Sequence, residues 1–110
     1  MIRGAVYQID LGQARRGHEQ RGRRYGVLLS PSDSPLSVVT VAPTSTSAQP
    51  ALHRPIVHFD GTPTRVLVDQ LRTIDIFYVG EVVGYLTRDE MLDVENATAR
   101  YLGIIPQLAG

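Results

Sequence analysis

The sequence predicts a small, strongly curved β-sheet followed by one carboxy-terminal helix, a mainly β fold of the α+β kind. Three observations carry this. Short runs rich in β-branched and aromatic residues recur between Gly, Pro, Asp and Ser clusters over the first 86 residues. At Thr87 the apolar spacing changes to three and four residues. The 110 residues suffice for one domain with a real core and are too few for a second. We therefore expect one domain over 1–110, its core within about 2–103 and a loosely held tail over 104–110, which contains Pro106.

Each element has its own signal. Arg3 to Asp10 sets Ala5, Tyr7 and Ile9 against Val6 and Gln8, an imperfect two-residue period that reads as a half-buried first strand. Leu11 to Gly22 is mostly polar with several glycines and reads as a long loop returning to a second strand, Tyr25 to Ser30. Pro31-Ser32-Asp33-Ser34-Pro35 is a dense turn cluster, so Leu36 to Ala42 is expected to pair with its predecessor. After a polar stretch from 44 to 51, His53 to Phe59 alternates as a fourth strand, and Asp60-Gly61 before Pro63 marks a turn. Val66 to Leu71, Ile74 to Val79 and Val82 to Leu86 read as further short strands, the last two placed around Gly80. Thr87-Arg88-Asp89-Glu90 fits a capping box that starts a helix. Met91, Val94, Thr98 and Tyr101 form its apolar stripe, widened by Leu92 and Leu102, and Gly103 is its stop.

Charge narrows the function. The formal net charge is zero, but residues 1–24 carry six arginines against Asp10 and Glu19, whereas residues 76–110 carry five acids against two arginines. A local basic patch on a neutral chain favours a nucleic acid or an acidic peptide over a membrane surface. No stretch approaches the ~18 to 20 apolar residues of a membrane span, and the amino terminus lacks the basic and apolar pattern of a signal peptide. A soluble cytoplasmic protein is expected. With no cysteine there is no disulfide and no thiol chemistry. Phosphate-loop, dinucleotide, zinc-protease and serine-hydrolase motifs are missing, as are histidines and carboxylates at metal-ligand spacing, so no metal and no cofactor is implied.

The chemistry is concentrated in two segments. Arg21, Arg23 and Arg24 lie within four residues, after Gly17-His18-Glu19-Gln20 and just before the apolar run Val27-Leu28-Leu29. Three guanidiniums cannot be buried together without partners, and a planar guanidinium suits phosphate. The second segment, Val41-Ala42-Pro43-Thr44-Ser45-Thr46-Ser47, ends an apolar run with four hydroxyls. Together they point to phosphate chemistry.

Arg3-Gly4-Ala5-Val6-Tyr7, the Gly17 to Gln20 loop, Gly22-Arg23-Arg24 leading into a strand, Val41 to Ser45, and Asp69-Gln70-Leu71-Arg72-Thr73-Ile74 follow one another in an order that resembles the MazF/PemK family of toxin endoribonucleases over residues 2 to about 103. The resemblance implies an SH3-like barrel of the MazF/PemK/CcdB kind, a homodimer, metal-independent cleavage of single-stranded RNA at a preferred sequence to 2′,3′-cyclic phosphate and 5′-hydroxyl ends, and growth inhibition through lost translation. It also implies a MazE-like antitoxin whose flexible acidic tail competes with RNA for the arginine patch. By position in the motif, Arg24 matches the catalytic arginine and Thr44 the catalytic threonine. Tyr25 stands where the family commonly has proline.

Such cleavage uses the neighbouring 2′-hydroxyl as nucleophile, so positioning and charge stabilisation dominate. Arg24 is expected to stabilise the phosphorane first and protonate the leaving oxygen second, because arginine holds its proton at neutral pH. His18 and Glu19 are the two candidates for a base, each set against a plainer reading: a solvated loop residue for His18, an ion pair ordering Arg21, Arg23 or Arg24 for Glu19. His53 and His58 are expected to be structural. Arg21 and Arg23 suit RNA backbone steering, while Ser45 and Ser47 either bind RNA or cap a turn. Gln70 could read a base edge, Tyr7 or Tyr25 could stack on one, and Arg72 with Asp75 could form an ion pair. The competing function is a non-catalytic toxin of the same fold that binds a protein such as DNA gyrase, through carboxy-terminal helix residues near 103 rather than through Arg24 and Thr44.

Overall fold

β3 (Val38–Ser45) organises the sheet, because it has one partner along one edge and two in succession along the other. The computed structural model describes residues 1–13 and 17–104. On one side β3 pairs antiparallel with β2 (Arg23–Leu28), with Gly26 opposite Pro43 and Leu28 opposite Val41. On the other, Val38 to Val41 pair with β6 (Arg72–Asp75), whereas Thr44 and Ser45 pair with β5 (Thr62–Val66). β1 (Ala5–Asp10) joins β2 to β7 (Val79–Tyr85), and β4 (Ile56–Phe59) flanks β5. Among the described residues the order is β4-β5-β3-β2-β1-β7, with β6 also on β3. Register shifts between β1 and β7 at Tyr7 and Ile9 add the local twist that curls such a sheet.

The curl buries β1 to β3 on both faces. Val6, Val27 and Ala42 point to a cluster with Val57, Val66, Val68, Val94 and Ala97, which lies under the helix. Their neighbours Ala5, Leu28 and Val41 point the other way, into a cluster with Tyr7, Ile9, Val39 and Ile74. Alternate residues of a strand face opposite sides, so strands covered twice read as nearly unbroken apolar runs. That is why the two-residue period of β1 was imperfect. Each fully buried valine contributes about 1.5–3 kcal/mol.

The helix α1 (Arg88–Tyr101) begins as its capping box predicts. The Thr87 hydroxyl accepts from the Glu90 backbone at 3.1 Å, and the Glu90 carboxylate accepts from the Thr87 backbone at 2.9 Å. Its second oxygen accepts from the His58 backbone N–H at 2.6 Å, so one side chain caps the helix and ties it to β4. Burial pushes this carboxyl up, but the backbone donors of Thr87 and His58 outweigh it and hold the group below its ordinary value. At the far end Gly103 has φ 71°, and the amides of Gly103 and Ile104 close on the carbonyls of Arg100 and Ala99, a Schellman stop. The Asp60-Gly61 turn between β4 and β5 has positive φ at both residues, 53° and 72°, as a type I′ hairpin requires.

Several expectations are corrected. β3 does not stop at Ala42 but carries Thr44 and Ser45 into pairing with β5. Val66 to Leu71 is not a strand: β5 ends at Val66 because β6 takes the same β3 edge from Val41 onward, and Val68–Gln70 forms one 3-10 turn instead. A second 3-10 turn, Ile76–Tyr78, interrupts the expected Ile74 to Val79 strand, with Asp75 accepting from the Phe77 backbone at 2.8 Å. β7 instead runs unbroken through Gly80. In α1 the buried residues are Val94 and Ala97, while Tyr101 lies at the edge against His53. Arg72 donates to the Leu11 carbonyl at 3.2 Å and does not pair with Asp75. Arg15, Arg16 and the tail from 105 lie outside the described residues.

Candidate active site

Where β2 and β3 leave the double-sided core, their ends open onto a cleft of about 720 Å³. Arg23 and Arg24 from β2 line it, as do Thr44 and Ser45 from β3 and Ser47 beyond it. His18, Glu19, Arg21 and Gln70 do not. The cleft thus gathers five of these nine residues and leaves four outside; of the two tyrosines expected to stack, Tyr25 lines it and the buried Tyr7 does not.

Arg24 is exposed at the start of β2 and donates from Nε to the Arg21 carbonyl at 3.1 Å. It makes no ion pair among the described residues, so the outer part of its guanidinium is available to an anion. Thr44 is nearly buried, 5% exposed, and its hydroxyl donates to the Tyr25 carbonyl at 3.1 Å. One hydrogen bond therefore ties the threonine to the residue immediately after the arginine. At Gly26 the Ile9 side chain fills the space a Cβ would take, 2.6 Å from Ile9 Cδ1. Asp10 and Asp60 also line the cleft, and Asp10 accepts from the Gly12 amide at 2.9 Å. Its charge is therefore mixed.

Ser45 Oγ accepts from the Ser47 backbone at 3.2 Å, so it caps a turn while lining the cleft. Gln70 is committed within the fold. Its Oε1 accepts from the Gln20 backbone at 3.1 Å and its Nε2 donates to the His18 carbonyl at 2.9 Å, so the amide expected to read a base is engaged by the β1–β2 loop. His53 packs edge-on against Tyr101 with centroids 5.3 Å apart, and His58 lies 3.7 Å from the Glu90 carboxylate.

Sequence reasoning named Tyr25 and missed the rest of the aromatic lining. Tyr25 meets Phe59 at 5.6 Å and 87°, and Phe77 meets Tyr78 at 5.3 Å and 89°; all four line the cleft. Phe77 is 84% exposed, unusual for so apolar a side chain. The consecutive Ile76-Phe77-Tyr78 was the available signal, because three large apolar residues in a row cannot all face one side of a strand.

A curled antiparallel half-barrel with one carboxy-terminal helix, its cleft lined by arginines, hydroxyls and two aspartates, defines a class of small curved-sheet proteins. The chain belongs to the family of PemK-like, MazF-like toxins of type II toxin-antitoxin systems, whose sequence model matches residues 2–102. It is 65% identical over 105 residues to Rv3098A, a candidate toxin of Mycobacterium tuberculosis (strain ATCC 25618 / H37Rv), covering 94% of this chain and 99% of that one. Its fold is similar to that of MazF from Deinococcus radiodurans (TM-score 0.80, 22% identity, 94% and 96% of the two chains). It is similar also to a mycobacterial endoribonuclease solved with its cognate antitoxin (TM-score 0.79, 21% identity, 96% and 98%). Among the described residues no helix is long and apolar enough to cross a membrane.

Proposed function

We propose that this toxin is a sequence-specific endoribonuclease that cuts single-stranded RNA, mRNA included, without a metal, in the cytoplasm, and so stops translation and growth. The observation that carries the reading is that Arg24 and Thr44 line one cleft, with the Thr44 hydroxyl bonded to the carbonyl of Tyr25, the residue after Arg24. The 2′-hydroxyl loses its proton to solvent water and attacks the adjacent phosphorus, the bond to the 5′-oxygen breaks as that oxygen takes a proton from Arg24, which water then restores, and a 2′,3′-cyclic phosphate and a 5′-hydroxyl remain. Arg24 faces the charge that grows on the non-bridging oxygens, and the Thr44 proton exchanges the Tyr25 carbonyl for a phosphate oxygen. Arg23 and the cleft hydroxyls of Ser45 and Ser47 bind backbone, Arg21 steers RNA from outside the cleft, and the exposed ring of Phe77 offers an unpaired base a stacking surface. Neither His18 nor Glu19 lines the cleft, so neither is given the proton-abstracting role.

The functional unit in this reading is a homodimer controlled by an antitoxin with an acidic flexible tail. The complex of the similar mycobacterial endoribonuclease with its antitoxin supports that partner. The test is incubation of pure protein with long mixed-sequence RNA in chelator, followed by mapping of product ends. Cleavage with cyclic-phosphate and 5′-hydroxyl termini is expected; intact RNA at high protein concentration would overturn the reading and favour a toxin that acts by binding a protein.

A further inference from the structure

Two loops far apart in sequence are fastened to the same single turn, Val68–Gln70. Asp69 grips Arg54 through both carboxylate oxygens, at 3.0 and 2.9 Å, and Arg54 also donates to the Gln49 carbonyl at 3.2 Å, which fixes the β3–β4 connection. Gln70 grips the other loop through both ends of its amide, one bond to the Gln20 N–H and one to the His18 carbonyl, across 50 and 52 residues of sequence. The residue after Gln20 is Arg21, whose carbonyl accepts from Arg24 Nε. A short relay thus runs from Gln70 through the loop backbone to the guanidinium in the cleft.

We propose that Gln70 is a positioning residue: it holds the 18–20 backbone and so, together with the Gly22 N–H to Gly12 carbonyl bond at 2.6 Å that steadies the Arg21 carbonyl's own peptide unit, sets the orientation of Arg24, and it touches no substrate itself. An arginine attached at Cα alone samples many rotamers, and a second attachment at Nε aims its fork; that attachment is only as fixed as the carbonyl that provides it. The chemical arm of this inference rests on the nuclease reading, whereas its structural arm does not.

The experiment compares wild type, Gln70→Ala and Gln70→Glu. Without RNA, loss of the amide should speed hydrogen exchange at the Gln20 amide about tenfold, and should shift or broaden the Arg24 Nε–H resonance, while amides in β1 to β3 keep their wild-type exchange. Gln70→Glu keeps the acceptor and loses the donor, so it should fall between, and it carries the test if the alanine variant does not fold. On RNA, kcat should drop about five- to tenfold with KM changed less than twofold, the pattern of an interaction made in the transition state. Wild-type exchange at Gln20 together with an unmoved Arg24 Nε–H signal would overturn the proposal. So would a lower melting temperature with unchanged kcat, the mark of a merely structural contact. If no variant and not even wild type cleaves RNA, the nuclease reading fails, and the exchange and resonance data still decide whether Gln70 aims Arg24.

Discussion

Arg54 and Arg24 are chemically the same side chain put to opposite uses. Arg54 is partly buried, and all three of its nitrogens are engaged, two by Asp69 and one by a backbone carbonyl. The Asp69 carboxyl is held below its ordinary value by that hydrogen bond, more than burial raises it. Arg24 is exposed, is attached through Nε alone and faces a cleft without an ion-pair partner among the described residues. A guanidinium whose fork is closed by a carboxylate is part of the fold; one whose fork stays open on a cleft keeps its outer donors free.

The strongest way to break the contrast is Arg24→Ala. Turnover on RNA should fall about 10²- to 10³-fold while the melting temperature stays within a degree or two of wild type, measured by end-labelled RNA cleavage beside a thermal melt. Arg54→Ala should do the converse. Its loss leaves Asp69 without its partner and should cost about 1–3 kcal/mol, discounted for partial exposure, read as a shift in denaturant midpoint. If Arg54→Ala instead abolished cleavage in a protein of normal stability, the division of labour would be wrong.

Thr44→Val lies between the two, since the hydroxyl is both buried and in the cleft. The substitution keeps the shape, leaves the Tyr25 carbonyl without its donor, and should cost about 1 kcal/mol together with roughly tenfold in turnover. The smallest effect is on acid stability. Asp69 and Glu90 both have folded values below their ordinary ones. The stability they contribute is present above ~4 and is lost as the pH falls through the lowered folded values. Melting temperature should therefore decline below about pH 4, and less steeply in Glu90→Gln than in wild type.

What could be read in advance follows the range of the interaction. The capping box at Thr87 and Glu90, the Gly103 stop and the Asp60-Gly61 turn are set by residues within a few positions of one another, and all three stand. The curled sheet and its helix also follow from the pattern of short runs. The end of β3 did not, because its continuation to Ser45 depends on β5 arriving at that edge. The roles of Asp69 and Gln70 were hidden for the same reason, since their partners are 15 to 52 residues away. The placement of Phe77 depends on a 3-10 turn, and its one local signal, three large apolar residues in a row, does not say which ring is left exposed. Arg24 and Thr44 were reached through motif order, and their joint lining of the cleft is visible only once the strands are assembled.

Both bonds from Gln70 end on main-chain atoms of the loop, an N–H and a C=O, and none on its side chains. A fastening of that kind is blind to which residues occupy positions 18 to 20, provided position 20 keeps its N–H and so is not proline. The loop can change its lettering at these positions while remaining moored in the same place.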